Sequence, residues 1–451
     1  MYALTIILHY TIGIGILRRI GFRKSKWEVF GLAFPLGVGS ATILVFLLDI
    51  AGRSLTFLSL TIVSLVLIAF LFFPEFAKIK EVKKPDVKRF WNRLKQIPLY
   101  EIVFLVVIAA LFFISAWRCY YFPVKTYDSI VGIDLVAKYA VEEGQIQSRV
   151  FSEIKDELST QPYYAPFAAL SQITYMLSGV SNGKIWLSFM FLSLIVIFYG
   201  NLRREIHPLL AGLLIVILIA IPEMYPYTYL LQTDFSNAVF VCLSLVYGFY
   251  FIQKKEDQYF WVSAILFGFA TWTRSETISF AVMTALLIFI FIIRDKTPQS
   301  VKYPLIFIAI SFLFFALWNL YYLPLKLNYS PESYFRFGFW DFERIKLLGA
   351  GMMKVFLSAG LWGYLPYFFF VIAVINLVLF RDFKNIFLLV WIILLFGGFW
   401  VLLYHLQLNP NATIAYTFRR GTFKMWPIII FYIGTSALFD RVSAILHKKF
   451  T

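Results

Sequence analysis

The sequence predicts an all-α, polytopic membrane protein of about 13 transmembrane helices, with further juxtamembrane helices at its outer face. Three observations predict it. Of 451 residues, 61% are hydrophobic and 15% charged, against about 45–50% and about 25% in soluble domains. That excess is too large for one or two soluble cores. The apolar residues fall in continuous runs close to the ~20 residues that cross a ~30 Å hydrocarbon layer, without the alternation of barrel strands. The 51 Phe, 27 Tyr and 12 Trp, with a mean hydropathy of +0.77, exclude disorder.

Residues 1–74 hold three leading spans, near 2–17, 28–48 and 54–74. Met1 to Leu17 lacks a basic first segment and a small-residue cleavage site, so it reads as an anchor. Residues 75–98 form a basic linker with eight Lys and Arg, the clearest boundary in the chain. The core, 99–440, continues with runs near 99–117, 184–200, 208–222, 235–252, 259–273, 277–293, 303–323, 361–380, 386–404 and 425–440, and 441–451 is a short tail.

Orientation follows from Lys and Arg in the connections. Arg18, Arg19, Arg23, Lys24 and Lys26, the linker, and the tail with Arg441, Lys448 and Lys449 are expected in the cytosol. Residues 163–180 are apolar enough to imitate a further span. The stretch after Pro166 is only about 12 residues, or ~18 Å as a helix. It is expected on or in the outer leaflet. The outer face then holds 118–183, 324–360 and 405–424. This topology places 25 Lys and Arg with 11 acids inside, and 16 with 14 outside. The net charge of +16 is thus an orientation signal, and nucleic acid is not an expected partner. Membrane lipids are. A bacterial cytoplasmic membrane, with the working face toward the periplasm, is the expected location.

Cys119 and Cys242 have no metal or redox spacing, and one lies inside a span, so a disulfide is not expected. His9, His207, His405 and His447 are scattered and read as interfacial or cytosolic. No glycine-rich phosphate loop, dinucleotide fingerprint or His-Glu-x-x-His pair occurs.

The stretch 125–144, KTYDSIVGIDLVAKYAVEEG, carries apolar residues at helical spacing beside the charged stripe Asp134, Lys138, Glu142. An amphipathic helix closed by Gly144 is expected, with Asp134, Glu142 and Glu143 on its solvated face. Asp128 precedes it. It suits an N-cap, and equally a carboxylate held at the membrane surface to accept a hydroxyl proton.

These features resemble the GT-C superfamily of membrane glycosyltransferases, which includes protein O-mannosyltransferases, aminoarabinose transferases and the dolichyl-phosphate-glucose enzymes. The resembling features are Tyr127-Asp128, the helix ending in Gly144, Gln161-Pro162-Tyr163-Tyr164-Ala165-Pro166, and a short helix ending in Gly179. Asp234 in LLQTDFSNAVFVCLSL looks like the family's acidic residue heading a span. Arg274 and Glu276 in AILFGFATWTRSETISF look like its charged turn, and IAYTFRRGTFKMWPIIIFY looks like its approach to the last span. The resemblance covers roughly 99–440. It departs where the family's double Pro is replaced by Tyr-Tyr-Ala-Pro and where three leading spans are added.

The resemblance implies Asp128 as the catalytic base of an inverting transfer. The expected donor is a polyprenyl-phosphate sugar, because an outward-facing enzyme cannot reach cytosolic nucleotide sugars. The acceptor is a glycan, lipid or protein hydroxyl. Asp234 and Glu276 are candidates to orient the acceptor, although a helix cap and a local ion pair with Arg274 would account for them. The sequence is compatible with a metal-free site and with a resident Mg²⁺ or Mn²⁺, for which Asp128 and Asp234 would supply oxygen ligands. Arg419, Arg420 and Lys424, just before the last span, together with Arg274, are candidates for the donor phosphate. Snorkelling to headgroups would also explain the first three. Arg336, Arg344 and Lys346 lie among Tyr334, Phe335, Phe337, Phe339 and Trp340, which read as an interfacial belt. The alternatives are a lipid-linked sugar flippase or transporter, which would place charges or broken helices at mid-membrane, and a polysaccharide polymerase or ligase.

Overall fold

Each apolar run becomes a helix or a pair of helices, and the length of each decides what it can do. The structure, a computed structural model, describes residues 1–76, 97–154, 162–180, 182–294, 301–329, 340–405 and 413–450. Most of the expected linker, together with Gln161, Tyr334, Phe335, Arg336, Phe337 and Phe339, lies outside these residues. The helices are α1 Tyr2–Arg19, α2 Lys26–Ile50, α3 Phe57–Phe76, α4 Leu99–Tyr121, α5 Asp134–Glu143, α6 Phe167–Leu177, α7 Ile185–Glu205, α8 Pro208–Ile219, α9 Thr233–Lys254, α10 Asp257–Thr273, α11 Thr277–Arg294, α12 Lys302–Ala316, α13 Phe342–Phe356, α14 Leu365–Val374, α15 Ile386–His405, α16 Trp426–Gly434 and α17 Ala437–Phe450. No strand occurs among the described residues.

Seven of these are long and apolar enough to cross a membrane: α2, α4, α7, α9, α11, α12 as continued to Lys326, and α15. The chain is a multi-pass membrane protein. The other runs are helical too; α1 has 18 residues and ends on two Arg, while α8 has 12 and α10 has 17. The final run differs from expectation. A helical path already begins at Thr413, passes through π and 3-10 turns into α16, and breaks after Gly434. The two pieces, Ile414–Gly434 and Ala437–Lys449, meet at 52°; counted as one broken span they make an eighth. The short 3-10 and π turns lengthen the helix toward the loop, so Arg419, Arg420 and Lys424 stand on it and not before it.

α9 is apolar on every side and its apolar window is 100% buried, whereas that of α4 is 17% buried and faces outward. α9 packs on α10, and α2 packs on α1 and α7. The α1–α2 crossing is close because glycines form it: a Cβ at Gly13 would lie 1.8 Å from the Ala33 carbonyl oxygen, and one at Gly37 1.7 Å from that of His9. The leading helices also join the remainder. Trp272 on α10 donates to Thr42 on α2 at 3.1 Å.

α6 is the short helix expected after Pro166. At 11 residues it does not cross. It is packed among the spans, with Phe167, Leu170, Gln172 and Tyr175 buried. Two side chains read as peripheral are buried against it. Asp134 is 3% exposed, accepts from Gln172 Nε2 at 3.0 Å and pairs with Lys138 at 2.8 Å. This removes it from the solvated face, while Glu142 and Glu143 meet Arg149 there. His9 is 2% exposed and contacts the Tyr175 hydroxyl at 3.2 Å. Cys119 and Cys242 are free and buried.

The helix ends gather into two polar layers. At one end, termed lower, Lys24 pairs with Glu256 at 2.7 Å, Arg204 with Glu28 at 2.9 Å, Arg203 with Glu101 at 2.5 Å and Lys384 with Glu205 at 3.6 Å. The opposite, upper end carries the residues singled out for chemistry.

Candidate active site

The upper end is assembled from four chain segments. The first is the start of the amphipathic helix. Its chain turns in a π-helical segment, Ser129–Ile133, before α5, and Thr126 and Ser129 both donate to the Leu231 carbonyl. The helix closes on Gly144 at φ +71°, a left-handed position that glycine takes without strain. The Gly144 carbonyl accepts from Leu55 N at 2.7 Å, and Ile146 N donates to Asp49 at 2.6 Å. α2 and the start of α3 therefore hold the far end of the element that carries Asp128.

Asp128 makes no side-chain cap bond. Its carboxylate instead meets Arg420 at 2.7 Å, across 292 residues of sequence. Arg420 also lies 3.6 Å from Asp234, and its Nε donates to the Tyr416 carbonyl at 3.2 Å. Asp234 is in the first turn of α9, with Gln232 as the capping residue. It is 2% exposed and also pairs with Arg274. Arg274, at the end of α10, pairs with Glu276 as well. The local pair expected there thus exists and extends into a network. Burial alone would lower the Arg274 pKa, but Asp234 and Glu276 hold it above its ordinary value.

Asn237, one turn below Asp234, donates to the Ala270 carbonyl at 2.7 Å and to Thr277 at 3.0 Å. It pins the 274–276 turn to α9. A lone amide in an apolar span was its only sequence signal. Tyr164, from the Pro-Tyr-Tyr-Ala-Pro segment, is the other residue that sequence reasoning did not single out. Burial and the neighbouring charge of Asp128 raise its pKa, which keeps the phenol protonated beside the network. Tyr163 stacks on Tyr329 with ring centroids 3.5 Å apart.

The three cations of the last segment do not converge on one partner. Adjacent residues on a helix diverge by about 100°, and Arg419 turns to Glu223 at 3.2 Å while Arg420 joins the aspartates. Lys424 is 1% exposed, lies 5.6 Å from the centre of the Phe399 ring and makes no ion pair among the described residues. Farther out, Arg344 lies over Tyr404 and Trp340 stacks on it, apart from the network.

Asp128 and Asp234, the pair considered for a divalent cation, are bridged by the Arg420 guanidinium. Among the described residues no group of three or more His, Cys, Asp or Glu side chains is placed to hold a metal. As placed, the donor set does not fit one. The arrangement offers a partly accessible carboxylate, two guanidiniums shared among three carboxylates, and a buried ammonium. Such a site can accept a proton and take up a phosphate in exchange for internal ion pairs. Comparison with protein-family models, curated proteins and solved structures finds no match.

Proposed function

We propose that this chain transfers a sugar from a polyprenyl-phosphate donor to an acceptor hydroxyl at its upper end, on the outer side of a bacterial cytoplasmic membrane, in the manner of a GT-C glycosyltransferase. The observation that carries the reading is Arg420 standing between Asp128 and Asp234, with Arg274 and Lys424 alongside, at one end of a lipid-embedded bundle. A flippase or transporter would place such charges at mid-membrane.

The acceptor O–H gives its proton to Asp128 as its oxygen attacks the anomeric carbon. The bond from that carbon to the phosphate oxygen breaks, and the electron pair leaves on the phosphate. Direct displacement inverts the anomeric configuration. The donor phosphate begins with one negative charge and departs with two, while Asp128 loses one, so total charge is conserved. The gain on the phosphate falls where Arg420, Arg274 and Lys424 stand. Arg420 holds Asp128; a donor phosphate would draw it away and release the carboxylate to act as base.

The test uses purified protein, a synthetic polyprenyl-phosphate sugar and a panel of acceptor hydroxyls. Asp128→Asn is expected to lower turnover by about 10²–10⁴-fold with an unchanged melting temperature. Full transfer by a folded Asp128→Asn protein would overturn the assignment of the base.

A further inference from the structure

We propose a second anion site, built by Arg118 and Lys125 around the ring of Phe122 on the lipid-facing side of the upper end, which takes the phosphate group of a membrane lipid. It lies outside the network described above and does not depend on the sugar-transfer reading.

Arg118 stands in the last turn of α4, the least buried of the long spans. Its Nη1 donates to the Tyr229 hydroxyl at 2.6 Å, and its guanidinium lies 4.7 Å from the centre of the Tyr229 ring and 5.8 Å from that of Phe122. Its Nε is buried without a hydrogen-bond partner. The exposed Lys125 ammonium lies 5.5 Å from the same Phe122 ring. Neither cation pairs with a carboxylate among the described residues. Lys184, 2% exposed at the head of α7, donates to the neighbouring Pro123 carbonyl at 3.3 Å. Burial lowers its pKa, and Asp134, whose charge opposes that shift, is already paired with Lys138.

Two cations sharing one ring repel each other, and each gains only a modest cation–π attraction. Simple snorkelling would send both heads to water. Arg118 is instead folded back on Tyr229, with a donor left over in a place that water does not reach. A phosphate lying against both would meet the accessible guanidinium N–H groups and the Lys125 ammonium and cancel the repulsion, and guanidinium suits phosphate geometrically. The ligand is a lipid because the site opens onto an apolar stripe of α4. Phe113, Ile114, Trp117 and Tyr121 are all exposed along it, so an acyl or prenyl chain would be covered while its phosphate is held. Basic pockets beside membrane helices bind lipid headgroups by this combination.

Native mass spectrometry of the full-length protein in a neutral detergent tests it, with farnesyl phosphate, dioleoylphosphatidylglycerol and uncharged farnesol as probes. Lys125→Gln and Arg118→Gln are each expected to reduce occupancy by a phosphate lipid about fivefold, with farnesol unaffected. Lys125 is exposed, so its replacement leaves the fold intact even if Arg118→Gln perturbs it. A reduction confined to farnesyl phosphate supports the site and assigns it to a prenyl carrier. One confined to phosphatidylglycerol supports it and assigns it to bulk lipid. Unchanged binding of both phosphate lipids in Lys125→Gln and Arg118→Gln overturns the proposal. So does a loss seen only in Arg420→Lys, which would move the binding to the network.

Discussion

At the lower end of the bundle four basic side chains each have a carboxylate of their own: Lys24 with Glu256, Arg204 with Glu28, Arg203 with Glu101, Lys384 with Glu205. The network around Asp234 at the upper end shares them. Arg420 serves Asp128 and Asp234, Arg274 serves Asp234 and Glu276, and Lys424 has no ion pair among the described residues. A saturated pair has nothing to exchange and acts as a clasp between helices. A shared charge can change partner when an anion arrives, at little cost beyond rearrangement. The same residue types therefore do structural work at one end and can do chemistry at the other.

The largest effect that would sharpen this contrast separates two neighbours. Arg420→Lys replaces a bridging fork by a point charge and is expected to lower transfer roughly 10²-fold. Arg419→Lys, which alters the pair with Glu223 and the contact with the Tyr416 ring, should cost less than about fivefold. Equal losses would break the distinction between shared and single pairs. At the lower end, Glu101→Gln removes the charge that Tyr199 meets at 2.7 Å and Arg203 at 2.5 Å. Unfolding by denaturant should show a loss of about 1–3 kcal/mol with activity retained; a selective loss of activity would contradict a purely structural lower end.

Gly144→Ala comes next. It places a side chain at φ +71° and 2.6 Å from Ser54 Oγ, and thermal unfolding should register a cost of about 1 kcal/mol or more. The smallest effect belongs to Lys24–Glu256. The hydrogen bond from Lys24 is the main cause holding the Glu256 carboxyl below its ordinary range. The pair's contribution is thus present above the unfolded value, near 4.3, and fades as pH falls through the lower folded value. Screening keeps it under about 1 kcal/mol, and Glu256→Gln should remove this acid-side slope.

Much of the helical layout was legible because lipid imposes one requirement on every span, and composition reports it directly. The Gly144 cap and the short helix after Pro166 were legible for local reasons: a left-handed residue and a helix too short to cross. What escaped depended on partners far away in sequence. Asp134 is buried because Gln172 reaches it, and nothing near Asp134 announces that. Arg419 and Arg420 are indistinguishable as a dipeptide until the helix beginning at Thr413 sends them to different acids. Asp128, Asp234, Arg274, Glu276 and Arg420 stand out in the sequence because they fit a family pattern in order and because charge at a membrane edge is rare enough to notice. Tyr164 and Asn237 were missed because a phenol and an amide are not.

The bond from Ile146 to Asp49 spans 97 residues, and it bears on how the protein is made. Ribosomes deliver α2 first, so the receptor for the Asp128 loop is in the membrane before the loop has been synthesised. The first three helices then behave as a resident template, and the loop docks as it emerges instead of searching a finished bundle. A gene divided within the 75–98 segment, with both halves expressed together, should still yield an assembled upper end, and the second half alone should not.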